Sequence, residues 1–210
     1  MKKVLVKALA AAGLALTALT SQAAFVGSTP ASNDVIGIKE GWFDADLYLI
    51  AGALTNITVE FIGKEASYTN RFYLNNAQIF TTGSVPGSSS IVGVNPGLIN
   101  FAFFSNLGGA NPFAASVTNG NNQSPLTDFV NYFVTFDDSV VNGITPSSGS
   151  TVLLAFDDTG AGPDDNHDDM VIRLTITNGS FGVPEPGTMA LLGAGLLGVA
   201  GLARRRQRAA

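Results

Sequence analysis

Residues 151–177 read TVLLAFDDTGAGPDDNHDDMVIRLTIT. The second half alternates strictly. Met170, Ile172, Leu174 and Ile176 fall on one side, and Val171, Arg173, Thr175 and Thr177 on the other. A period of two is the signature of a half-buried strand. Thr151–Phe156 is a second short apolar run. Between the two, Gly160, Gly162 and Pro163 allow the chain to fold back. Two strands joined by a tight return predict an antiparallel hairpin, and the class of the domain follows from it.

The same rhythm recurs outward. In Thr55–Ile62, Ile57, Val59 and Phe61 oppose Thr58 and Glu60. In Asp128–Phe136, Val130, Tyr132, Val134 and Phe136 oppose Asn131 and Thr135. Further strands are expected at Asp46–Ala51, Asn70–Leu74, Gln78–Thr81 and Leu98–Phe104. The last is apolar on both faces and reads as central. Helical periodicity is scarce. About eight strands point to an all-β domain, an antiparallel β-sandwich of jelly-roll type. Loops Thr82–Pro96 and Ser105–Pro125, rich in Gly, Ser and Asn, are either a ligand face or plain solvated connections.

The two ends differ from this middle. Lys2, Lys3 and Lys7 precede the apolar run Ala8–Leu19, and Ser21-Gln22-Ala23 places small residues before a cleavage point. Residues 1–23 therefore read as a secretory signal peptide. At the other end stands Val183-Pro184-Glu185-Pro186-Gly187-Thr188. Met189–Ala203 follows as an apolar run, then Arg204, Arg205, Arg206 and Arg208. The two prolines favour an extended, accessible chain. Fifteen apolar residues make a helix of about 23 Å. That is short for a ~30 Å hydrocarbon core unless the arginines snorkel. Glycine at 193, 195, 198 and 201 suits a membrane helix better than a soluble one. The expectation is a transmembrane segment whose arginine cluster stays in the cytoplasm and whose preceding domain lies outside.

One domain, 24–182, remains between the ends. It has no cysteine, so an exported fold must hold by packing or by metal. Setting aside three lysines, four arginines and Glu185 leaves four basic residues against 15 acidic ones, a net charge of −11. Such a surface disfavours nucleic acid and suits divalent cations.

Residues 157–169 concentrate that charge in six aspartates. Asp164, Asn166 and Asp168 alternate like the opening of a calcium loop, and Asp157, Asp158, Asp165 and Asp169 complete the candidate ligand set for Ca2+. Asp169 stands where an EF-hand has glycine, and Thr175 where it has glutamate, so the loop is not an EF-hand. The plain alternative is a solvated acidic turn. His167, the sole histidine, lies among carboxylates that should hold it as a cation, unfit to be a base or a metal ligand. Glu60, Glu65 and Lys64 read as a surface ion-pair group, or the two glutamates as a distal calcium ligand or a contact of the acidic hairpin. Trp42 is suited either to stack on a sugar ring or to fill part of the core. No nucleophile elbow, zinc-ligand spacing or phosphate-binding glycine loop occurs.

Pro184-Glu185-Pro186, the glycine-rich apolar run and the arginine cluster together resemble the PEP-CTERM sorting signal. The resemblance covers 183–208. It implies recognition and cleavage by an exosortase, a membrane enzyme of Gram-negative bacteria that make exopolysaccharide. The helix would then hold the protein in the inner membrane only transiently, before its transfer to the cell surface or the medium. Phe156-Asp157-Asp158 with the later Asp-Asp-Asn-His-Asp-Asp-Met-Val, and the stretch Glu60–Asn70, resemble extracellular bacterial β-domains of unknown function that carry an Asp-rich hairpin. These resemblances imply a shared fold and a structural role for the loop, but no activity.

Three functions are thereby expected in order. The first is a non-enzymatic surface or biofilm-matrix protein, calcium-stabilised and associated with exopolysaccharide. The second is a calcium-dependent carbohydrate-binding module. The third is a secreted glycoside-active enzyme that uses a carboxylate pair.

Overall fold

The computed structural model describes residues 24–106, 115–136, 145–160 and 165–184. The signal peptide, the expected membrane helix, Glu185, Pro186 and the arginine cluster lie outside these residues. Among the described residues no helix is long and apolar enough to cross a membrane.

Every strand pair is antiparallel, and three sheets form. The largest contains β1 (Phe25–Ser28), β2 (Glu40–Phe43), β4 (Thr55–Gly63), β7 (Ser89–Val94), β11 (Asn131–Phe136), β13 (Thr151–Asp157) and β14 (Met170–Ile176), in the order β1-β2-β11-β13-β14-β4-β7. A second runs β10-β9-β5-β6, from β5 (Arg71–Leu74), β6 (Ala77–Thr81), β9 (Phe101–Ser105) and β10 (Ala115–Thr118). The third runs β12-β15-β3-β8, from β3 (Tyr48–Ile50), β8 (Gly97–Leu98), β12 (Ser148–Gly149) and β15 (Ser180–Gly182).

The alternation sets which side chains meet. Ile57, Val59 and Phe61 of β4, and Ile172, Leu174 and Ile176 of β14, face one core. There they join Phe72, Leu74, Phe101 and Phe103 of the second sheet, and Leu49 and Phe181 of the third. Phe103 stacks on Phe156 with centroids 4.7 Å apart and planes 4° from parallel, and Phe101 meets Tyr132 edge-on at 5.1 Å. Aromatic pairs of this kind contribute about 0.5–1.5 kcal/mol beyond the area they bury. This packing of antiparallel sheets is the expected β-sandwich.

The opposite face of the large sheet is also covered. Phe43, Phe133, Leu153, Ala155 and Val171 form a second cluster, with Val35 and Ile36 packed against it. β11 is consequently buried at all six positions. Its neighbour comes unusually close at Gly41. A Cβ there would sit 2.3 Å from the Val134 carbonyl oxygen and 2.6 Å from the Phe133 ring.

Several expectations need correction. There are fifteen strands among the described residues, not about eight. The stretch Leu98–Phe104 divides into β8 and β9. β9 lies inside the second sheet, but Ala102 and Phe104 are only half-buried. Loop Thr82–Pro96 contains β7, and loop Ser105–Pro125 contains β10. Glu60 pairs not with Lys64 but with Arg173 across β4 and β14, at 3.0 Å. Lys64 Nζ instead donates to the Ala66 carbonyl at 2.9 Å.

Gly41→Ala is expected to destabilise the full chain by about 1–3 kcal/mol, because backbone on the facing strand cannot yield. Gly52→Ala is the control, since a Cβ there meets nothing within 4 Å. Urea midpoints of the two variants check this.

Candidate functional site

The β13–β14 hairpin places most of the described residues of the acidic loop against the interior rather than in solvent. Asp157, Asp158, Asp168 and Asp169 are all buried, and so are Asn166 and His167. The reading of a solvated acidic turn is thereby overturned. A buried carboxylate requires donors, and the chain supplies them from a distance.

Asp157 Oδ1 accepts from the backbone N–H groups of Thr159 and Gly160, both at 2.9 Å. Asp158 Oδ2 accepts from Asn70 Nδ2 at 2.6 Å. Asp169 Oδ2 accepts from the Asp158 N–H at 2.8 Å, which closes the base of the loop. Asp168 Oδ2 accepts from the Asp34 N–H at 2.8 Å. Asn33 Nδ2 donates to the Asn166 carbonyl at 2.8 Å, while its Oδ1 caps the Val35 and Ile36 N–H groups. Gly160, at φ +74, has the backbone of Thr127 and Phe129 so near that a Cβ would lie 2.6 Å from either carbonyl. That position requires glycine on both counts.

The candidate ligands therefore divide. Asp158, Asp168 and Asp169, like Asp157, bind donors of the protein itself. Asp164 lies outside the described residues. Asp157 and Asp165 come together with His167, their ligand atoms all within 4.8 Å of one another. This group could hold a metal ion. Asn166 Oδ1 is buried without a hydrogen-bond partner, as are His167 Nδ1 and Asp165 Oδ1.

His167 corrects a prediction. Its sequence neighbours suggested a cation, yet burial lowers its pKa to about 4, outweighing the attraction of Asp157. Burial raises Asp157 to about 6, against His167 and the two backbone donors, and a side-chain hydrogen bond with Asp165 adds to the rise. Asp165 is also raised by burial, against that same bond with Asp157. The ring is thus neutral at pH 7, the form that ligates metals. The residue was missed because counting nearby charges does not reveal desolvation. Its backbone is held at φ +59, uncommon for a residue with a side chain.

Trp42 is buried in the main core, and its Nε1 donates to the Pro146 carbonyl at 2.8 Å. It is a core residue, not a stacking platform. A more exposed aromatic is Phe129, 64% accessible, on a groove of about 510 Å³ that Asn121, Gln123, Asp128, Asp158 and Thr159 also line.

Residues 182–207 match the PEP-CTERM protein-sorting motif. No curated protein and no solved structure was found to match the chain. The motif implies an exported protein that is sorted and processed by an exosortase. It begins at Gly182, the last residue of β15.

Asn70→Asp is expected to destabilise the protein strongly at pH 7, because it faces Asp158 with a second buried carboxylate. A proton between the two restores a hydrogen bond and raises the apparent pKa of the pair above the ordinary carboxylate value. Stability is then present at low pH and lost as pH rises through that raised value. Thermal melts from pH 4 to 8 check the sign. Asn121→Ala, at an exposed amide, should change little.

Proposed function

We propose that the chain is a non-enzymatic surface or extracellular-matrix protein, sorted by an exosortase-type system and associated with exopolysaccharide. The observation that carries this reading is the sorting motif, which begins at the end of the last strand among the described residues. Support comes also from the middle of the chain, which invests its carboxylates in structure. Four of the loop aspartates bind protein donors, and the only histidine is buried. Within this role the acidic loop is a structural metal centre. Its ion is calcium if only carboxylates engage it.

A second reading is a calcium-dependent carbohydrate-binding module. It is favoured by the groove beside the loop, where the exposed Phe129 ring stands among amides and Asp128. An aromatic face with a few polar groups is the usual equipment for a sugar ring.

Replacing Pro184, Glu185 and Pro186 together by alanine is expected to leave the protein in the inner-membrane fraction, while the parent reaches the surface or the medium. Unchanged distribution on fractionation would count against sorting through this motif. A glycan array separates the two readings. A sharp sugar preference, lost in Phe129→Ala and with chelator, would establish the module. Broad or absent binding favours the matrix protein.

A further inference from the structure

We infer that Asp157, Asp165 and His167 form a site for one divalent transition-metal ion of the zinc class, with His167 Nδ1 and a carboxylate oxygen from each aspartate as ligands. The inference rests on the structural-centre reading above and changes its ion.

The imidazole is oriented from outside. Asn131 Nδ2 has two acceptors, the Phe129 carbonyl at 3.3 Å and Asp157 Oδ2 at 3.4 Å. Its Oδ1 therefore faces His167 Nε2, at 2.7 Å. An oxygen acceptor at that distance requires the proton on Nε2. In the neutral ring the lone pair then sits on Nδ1. That atom is buried and has no hydrogen-bond partner. Asp165 Oδ1, likewise buried and met by no donor, lies 3.5 Å from it, on a carboxyl that shares a proton with Asp157 when no ion is bound. The gap is too long for a charge-assisted hydrogen bond of about 2.7–2.9 Å.

Two acceptors that face each other away from water repel unless a cation lies between them. Tetrahedral bonds of about 2.1 Å separate neighbouring ligand atoms by about 3.4 Å, close to the spacing found. Asp157 supplies a third ligand, within 4.8 Å of the other two. Asn131 contacts both His167 and Asp157, so one amide positions two of the three ligands, as outer partners of metal-bound histidines do. Two carboxylates also neutralise a doubly charged ion, which makes the buried group neutral. Calcium takes six to eight oxygens, whereas a nitrogen donor beside two carboxylates suits zinc and its neighbours.

The test uses the full chain in mild detergent, without a polyhistidine tag, stripped by chelator and dialysed. Zn2+ and Ca2+ are added separately at equal free concentration. Bound metal and thermal unfolding are followed. One zinc per chain is expected, with a melting temperature that rises with zinc and a much smaller rise with calcium. Asp165→Asn, at a half-exposed position that tolerates the change of charge, should weaken zinc binding at least tenfold. His167→Gln should do the same. Asp34→Asn, an exposed carboxylate outside the cluster, should retain the zinc response. A calcium shift equal to or larger than that of zinc would overturn the choice of ion. A zinc response unchanged in both ligand variants would overturn the location. No response to either ion would overturn the site and leave a cluster that shares protons. Fractionation reads sorting independently, so none of these results bears on the tail.

Discussion

A carboxylate can leave water only if donors or a cation meet its oxygens. Four aspartates are buried at the turn of one hairpin, and much of the surrounding architecture answers that requirement. The amides that reach the acidic loop are themselves buried and come from three distant parts of the chain. Asn33 lies in the turn after β1, Asn70 stands before β5, and Asn131 opens β11. Each joins its own element to the described flanks of the acidic loop. Breaking one such contact leaves a buried polar group unsatisfied, at a cost of about 1–3 kcal/mol, so these flanks act as a fastening point for the sheet.

Other amides repeat the device at the far side of β11. Asn122 Nδ2 donates to the Tyr132 carbonyl at 2.8 Å, and Asn122 Oδ1 accepts from the Tyr132 N–H at 3.1 Å. A side chain thus imitates a neighbouring strand. Asn119 does the same for Leu47, accepting from its N–H at 2.8 Å and donating to its carbonyl at 2.7 Å. In a chain without cysteine, such side-chain bridges tie distant segments where disulfides do not.

The strands with two-residue alternation were legible, and their inward faces were assigned correctly. Ile57, Val59, Phe61, Leu174 and Ile176 could be read because one face is wet or half-wet. β2, β7 and β10 escaped notice for a physical reason. Gly41, Gly93 and the serines of β7 and β10 have weak strand propensity, and these segments are held by their partners. The site was legible in composition and not in state. Aspartates next to one another in sequence suggest mutual repulsion in water. Their donors lie 88 and 134 residues away for Asp158 and Asp168, so burial could not be inferred locally. His167 was misjudged on the same ground.

The junction between domain and sorting signal has a mechanical consequence. β15 is three residues long, paired to β3 at Ser180–Gly182 and to the two-residue β12. Val183 adds one bond, its N–H to the Ser147 carbonyl at 2.8 Å, and Pro184 follows at once. Among the described residues only Val183 stands between β15 and Pro184. A pull transmitted along the tail falls first on this short rung of the third sheet and on the buried Phe181 ring, not on the broad central sheet. Under tension applied through the tail, the domain would yield from that corner while the asparagine-fastened hairpin still held.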